Sequence, residues 1–268
     1  MRVRFRFSKS GKLRWTSHRD LARMWERALR RARLPVVYTG GFSPRPKLSF
    51  GLALPTGAES SCEYLDVELA LPDGASVEAM PGLLTPALPS GIEVLAAPPL
   101  GQGAASLQQE VTSCTWELEV AGATRAELEE AVAKVLGQAS ITVTRERKGH
   151  AVTDDIRPAI LHLAVEGVVS RAPEPGLPGD AVDPGDAVDP GDPGDGQASS
   201  RSGAVLLRAE LATQPRGLRP AELLAALGPD LEEVRVRRTH QWIERDGARW
   251  EPIPLGATDA PRALERAS

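Results

Sequence analysis

The chain has 268 residues, 41% of them apolar and 25% charged, with a formal net charge of −4. That length and balance suit one large or two modest folded domains and exclude a disordered or fibrous protein. No apolar run reaches membrane-spanning length, and the basic start MRVRFRFSKSG is not followed by the apolar stretch of a secretion signal, so a cytoplasmic protein away from membranes is expected.

Two cysteines, Cys62 and Cys114, cannot build a disulfide framework and lack the spacing of a zinc or iron–sulfur site. Both read as small buried apolar residues, and no metal or other cofactor is expected. The charge is segregated: residues 1–50 hold 14 Lys and Arg against 2 acids, a net +12, which leaves −16 on the remainder. Because 27 of the 32 basic residues are Arg in a chain also rich in Ala, Gly and Pro, the position of the cations is more informative than their identity.

In chain order, RVRFRF (2–7) alternates basic and apolar residues with the period of a half-buried strand. Ser17 then fits a helix N-cap, with Asp20 three residues on, and Leu21, Met24, Trp25, Ala28, Leu29 and Ala32 follow at helical spacing. The opposite face of that helix carries Arg19, Arg23, Arg27, Arg30 and Arg31. Pro35 closes it, residues 36–38 are extended, and GFSPRPKLSFG (41–51) leads into a strand over 47–54, a turn at 55–57 and a strand over 64–69. A helical stretch over 76–88 and a strand over 92–96 complete the first half.

Residues 99–112 read as a linker. The order then restarts: strand 116–120, a Thr124-capped helix to Leu136, strands at 141–147, 159–165 and 205–211, a helix over 220–227 and a strand over 234–237. The expected fold class is α+β: two ferredoxin-like units, each a split βαβ with an antiparallel sheet, over 1–98 and 113–245. Residues 171–203, which contain a direct DAVDPG repeat, read as a disordered insertion, since Pro, Gly and Asp at this density cannot pack a core. Residues 246–268 read as a loose tail.

The basic segments carry the candidate chemistry. With Val3, Phe5 and Phe7 turned to the helices, Arg2, Arg4 and Arg6 fall on the other face of the sheet, and EVRVRR repeats the arrangement with Val234 and Val236 inward and Arg235 and Arg237 outward. Each of two sheets would show a basic stripe, which is either a solvated strand face or a surface that tracks phosphates; the phosphate reading is favoured for the N-terminal stripe, because the adjacent helix and the 41–51 loop are basic as well. In GFSPRPKLSFG the glycines permit positive φ and the prolines fix the backbone, so Arg45 and Lys47 are held with little entropy to lose, and the Ser43 hydroxyl can donate to phosphate. Phe42 and Phe50 read as core anchors.

His18, beside Arg14 and the helix start, is a residue that could take a proton from a ribose hydroxyl, although helix-start histidines usually serve a nearby carbonyl. In RERKGHAVTDDIRPAI (145–160), Lys148 and Arg157 are further phosphate candidates, with an Asp155–Arg157 ion pair as the competing structural role. The chain has no P-loop, HExxH, nucleophile triad pattern or dinucleotide-binding glycine motif.

The run KLRWTSHRDLARMWERALRRARLPVVYTGGFSPRPKLSFGLALPTGAES, then EYLDVEL, KGHAVTDDIRPAI and VRVRRTHQ, closely resembles the radical-SAM-linked protein family, a bacterial domain of unknown function found alone or fused behind a radical SAM protein. The family pattern falls on Ser17, His18, Asp20, Gly41, Phe42, Pro44, Pro46, Lys47, Asp155, Arg157 and Pro158. It typically has leucine where this chain has Arg19. The resemblance implies a role near RNA processing or modification, as partner of a radical SAM enzyme, because the chain lacks the CxxxCxxC cluster ligands of the catalyst itself.

The function expected is therefore that of an RNA-binding accessory protein, most often non-catalytic, with RNA and a radical SAM protein as partners. The surface would comprise Arg2, Arg4, Arg6, Arg14, His18, Arg23, Ser43, Arg45, Lys47, Lys148 and Arg157. The rival expectations are a metal-independent ribonuclease using His18 and a protein-interaction module for the radical SAM enzyme.

Overall fold

The computed structural model describes residues 1–72, 74–101, 103–147, 149–169 and 203–253. Strand β1 (Arg2–Lys9) and helix α1 (His18–Arg31) follow the sequence pattern. Ser17 caps α1 by accepting the Asp20 N–H at 3.2 Å, which satisfies one of the four orphan donors of the first turn. The first half continues with β2 (Leu48–Phe50), β3 (Glu59–Glu68), a short α2 (Met80–Leu84) and β4 (Ile92–Ala96). The helix expected over 76–88 is thus only one turn of α-helix and a 3-10 turn over 85–87, because Pro81 and Pro86 remove donors that a longer helix would need.

The second half holds β6 (Val111–Ala121), α4 (Arg125–Gly137), the hairpin β7 (Thr142–Arg147) and β8 (His150–Asp155), then β9 (Ile160–Val169), β10 (Ala204–Ala212), α5 (Pro220–Leu227), β11 (Glu232–Arg245) and β12 (Ala248–Trp250). Helix α4 starts in a full capping box between Thr124 and Glu127. Between the halves, the expected linker contains β5 (Pro99–Leu100) and one helical turn, α3 (Leu107–Glu110).

Two separate sheets, one per half, were expected; among the described residues a single ten-stranded sheet runs through both halves instead. Its order is β4-β1-β3-β11-β6-β10-β9, with β2 also on β3, β5 on β1 and β12 on β11; β7 and β8 form a ribbon of their own. Every pairing is antiparallel except that of β3 with β11, where Glu59 and Ser60 lie beside Arg237 and Arg238 and join the halves. The molecule is thus a mixed α/β protein with a large, mostly antiparallel sheet and few helices.

Two cores follow from the alternation. In the first, Val3, Phe5 and Phe7 of β1 pack with Leu65 and Val67 of β3 against Leu21, Trp25, Ala28 and Leu29 of α1. Trp25 lies 5.7 Å from the Phe5 ring and 5.0 Å from Phe7, centroid to centroid. In the second, β6 and β10 pack against α4 and α5, and Cys62 and Tyr64 of β3 join in, so β3 serves both cores. Burial of each such side chain is worth about 1.5–3 kcal/mol.

The tail expected from residue 246 is packed as far as the described residues reach: β12 pairs with the end of β11, and Glu251 and Ile253 are buried. The insertion expected over 171–203 lies outside the described residues apart from Gly203.

Candidate nucleic-acid interface and a cleft between the halves

The basic residues separate into two populations. Arg4 and Arg6, expected on an open face, are 3% and 4% exposed. Arg4 forms a two-pronged bond to Asp66, directly opposite it in the register, at 2.7 and 2.9 Å. Arg6 reaches Glu251 and the Ile253 carbonyl, both at 2.7 Å. Arg2, partly exposed, donates to the Ala104 carbonyl at 2.6 Å. The segment after β5 and the chain beyond β12 therefore cover this side of β1, and the expected phosphate-tracking stripe is an internal ion-pair layer.

The second expected stripe is also occupied. Arg235 and Arg237 both bind Glu59, which is buried and also accepts the Gly11 N–H at 2.9 Å, with Arg14 3.8 Å away. Burial alone would push the Glu59 carboxyl up, but the bonds from Arg235 and the Gly11 N–H outweigh it and hold the carboxyl below its usual range. Arg14 lies over the Trp15 ring at 5.4 Å.

The second population is exposed. Along α1, Arg19, Arg23, Arg27, Arg30 and Arg31 all face water. Among the described residues, no carboxylate comes within ion-pair distance of Lys12, Arg19, Arg27, Arg30, Arg33 or Arg45, while Arg23 meets only Asp20 at 3.4 Å. His18, at the first position of α1, is exposed and sets its ring edge-on to Phe50 at 4.9 Å.

The segment after α1 forms a narrow hairpin. Thr39 donates its N–H to the Arg45 carbonyl at 2.8 Å and accepts the Arg45 N–H on its hydroxyl at 3.0 Å; Tyr38 bridges Pro46. Val37 then donates to Glu68 of β3 at 2.8 Å, and the Lys47 ammonium meets the Glu68 carboxylate at 2.9 Å, fixing the hairpin's base. Gly41 turns the tip with φ of 107°. Gly40 to Arg45 are all exposed, Ser43 included, and Phe42 is fully so. Phe42 is thus no core anchor, and Phe50 is only half-buried.

Arg157 is engaged in the fold. Its guanidinium donates to the Leu136 carbonyl at the end of α4 at 3.0 Å and to Ile160, while Asp155 accepts the Arg157 N–H at 3.0 Å. Lys148 lies outside the described residues.

Sequence reasoning missed a charged cluster under the sheet junction. Arg238, 1% exposed, grips both oxygens of Glu63 and donates to the Leu52 carbonyl at 3.0 Å, with its guanidinium 5.3 Å from the Trp116 ring. Lys9 is buried nearby and donates to the carbonyls of Arg14 and Thr16 at 3.2 Å. Burial pushes its ammonium pKa down, against the pull of the Glu63 carboxylate. The signal was available: inward Phe7, Leu65 and Val236 put Lys9, Glu63 and Arg238 inward by period two.

Above Arg238 opens a cleft of about 600 Å³ between the halves, with Leu52, Leu54, Trp116, Leu211 and Arg219 on its walls. Both cysteines lie in the core here and are free thiols; burial pushes Cys114 up to about 11 and Cys62 further still. Among the described residues no group of His, Cys, Asp and Glu is placed to hold a metal, and no helix is long and apolar enough to cross a membrane.

A mixed α/β protein with a basic helix and hairpin on one half is the class defined by this geometry. The chain belongs to a family described as uncharacterized proteins conserved in bacteria (DUF2344), whose model matches residues 2–177. No curated protein matches it. The matched segment holds α1, the hairpin and Glu63; Arg219 and Arg238 lie beyond it.

Proposed function

We propose that this protein binds structured RNA with its first half, using the exposed arginines of α1 and the 39–47 hairpin, and that it does so as a non-catalytic partner of a radical SAM enzyme. The observation that carries the RNA reading is Phe42: a fully exposed aromatic ring at the tip of a hydrogen-bonded hairpin that also carries Arg45, which has no carboxylate within ion-pair distance among the described residues. Among the described residues, neither hydrophobic core includes that ring. Base-stacking surfaces combine an exposed aromatic with cations that meet the phosphates. The radical SAM partner is supported by the resemblance of the α1, hairpin and 149–160 motifs to the radical-SAM-linked family. The pairing β4-β1-β3-β2 around α1 supports reading the first half as a ferredoxin-like unit.

The test is Phe42→Ala against a fluorescently labelled RNA stem-loop, read by anisotropy. Stacking of one base contributes about 1–3 kcal/mol, so binding should weaken roughly 5- to 150-fold while the urea midpoint stays the same. Unchanged affinity would remove the hairpin from the interface.

A further inference from the structure

The cleft between the halves has the make-up of a small-molecule site. Its volume, about 600 Å³, falls within the roughly 300–1,000 Å³ typical of ligand pockets. The walls are apolar at Leu54, Trp116, Leu211 and Leu218, and cationic at Arg219 and Arg238. Arg238 is committed to Glu63, but Arg219 is exposed and has no carboxylate within ion-pair distance among the described residues.

A second hollow, about 310 Å³, shares Gly217 and Arg219 with the cleft and adds Arg145 and Arg216. These two arginines share Asp154, each at 3.0 Å, and Arg216 also binds Glu222. Two guanidinium groups thus meet the two carboxylates Asp154 and Glu222, and Glu222 also accepts the Arg219 backbone N–H at 3.0 Å. The Arg219 guanidinium is a third, with no carboxylate within ion-pair distance among the described residues, where the apolar cavity opens.

We propose that the cleft binds a small organic anion, with one carboxylate or phosphate group seated at Arg219 and a ring-sized apolar body against Trp116, Leu211 and Leu218. A charged head recognised by guanidinium at the mouth of an apolar cavity gives both orientation and affinity. The site is independent of the RNA surface.

Equilibrium dialysis of the full chain against 1-naphthoate, 1-naphthyl phosphate and the neutral 1-naphthalenemethanol tests it. One equivalent of at least one anion should bind saturably, the tighter of the two identifying the head group, and the alcohol at least tenfold more weakly. Arg219→Ala, a surface change, should weaken the anion at least tenfold. Gly217→Phe should abolish binding by filling the cavity; a Cβ there meets only the Thr213 carbonyl oxygen and Cα, at 3.6 and 3.8 Å, so the backbone admits a side chain. RNA affinity should be unchanged in both variants, which separates this site from the hairpin. No saturable binding of either anion at millimolar concentration, equal binding of the alcohol, more than one equivalent bound, or undiminished binding by Arg219→Ala would overturn the proposal.

Discussion

Glu63 is the carboxylate on which the sheet junction turns. It compensates Arg238, whose guanidinium is withdrawn from water, and it lies close enough to Lys9 to oppose the effect of burial there. Removing one partner of such a buried pair leaves an uncompensated charge, which costs about 3–5 kcal/mol, whereas an exposed pair contributes about 0–1 kcal/mol. Glu63→Gln should therefore lower the free energy of urea unfolding by about 3–5 kcal/mol. Glu68→Gln, which breaks the exposed pair with Lys47, should change it by less than about 1 kcal/mol. Equal effects of the two substitutions would mean that Arg238 finds another partner or water.

At this scale the sequence was legible for orientation and silent about cover. Period two in β1 correctly turned Arg4 and Arg6 away from α1. No local pattern reveals that Asp66, the Ala105 carbonyl and Glu251 come to rest on that side, because those partners lie 62, 101 and 245 residues away.

Among the elements, α1 and β11 mark the two ends of legibility. Helix α1 has a cap, an apolar stripe and a proline behind it, all within eighteen residues of Ser17, so its limits follow from local chemistry. Strand β11 breaks the strict alternation it advertises. Its register against β6 shifts between Glu233 and Arg235, so Val234 is the extra residue of a bulge and sits 48% exposed, while Val236 is 2% exposed. An inward Val234 was the expectation, and the bulge is the reason it fails. Val236→Ala should cost on the order of 2 kcal/mol in chemical denaturation by deleting core methyls, whereas Val234→Thr should stay within about 0.5 kcal/mol. A large loss at Val234 would contradict the bulge. The hairpin teaches the same lesson: its glycines and prolines were readable as stiffness, but a phenylalanine between Gly41 and Ser43 in a turn carries no local pattern that says whether its ring anchors in a core or points at water.

Over the whole molecule, the halves are joined by one short parallel pairing between β3 and β11, around residues 59 and 237, by the ion pairs of Glu59 and Glu63 with the arginines of β11, by Cys62 and Tyr64 in the second core, and by cover from the chain beyond β12. Element order in the sequence gave the repeat of strands and helices, but neither half encodes locally that the sheets share an edge. The net charge is likewise informative only once it is placed. The +12 of residues 1–50 is partly consumed inside the fold by Arg4, Arg6 and Lys9, and what remains exposed is concentrated on α1 and the hairpin.

A surface of this kind should bind RNA by releasing condensed counterions, so its affinity should fall linearly with salt on logarithmic axes, by about 0.7–0.9 per phosphate neutralised. The most direct measurement is the affinity of the intact protein for a labelled RNA stem-loop across a salt series, beside the double variant Arg27→Ala, Arg45→Ala, two exposed arginines with no carboxylate within ion-pair distance among the described residues. The account predicts a steep slope that becomes shallower by about 1.5 in the variant, as expected for two lost phosphate contacts. Binding that ignores salt, or no binding at low salt, would contradict it.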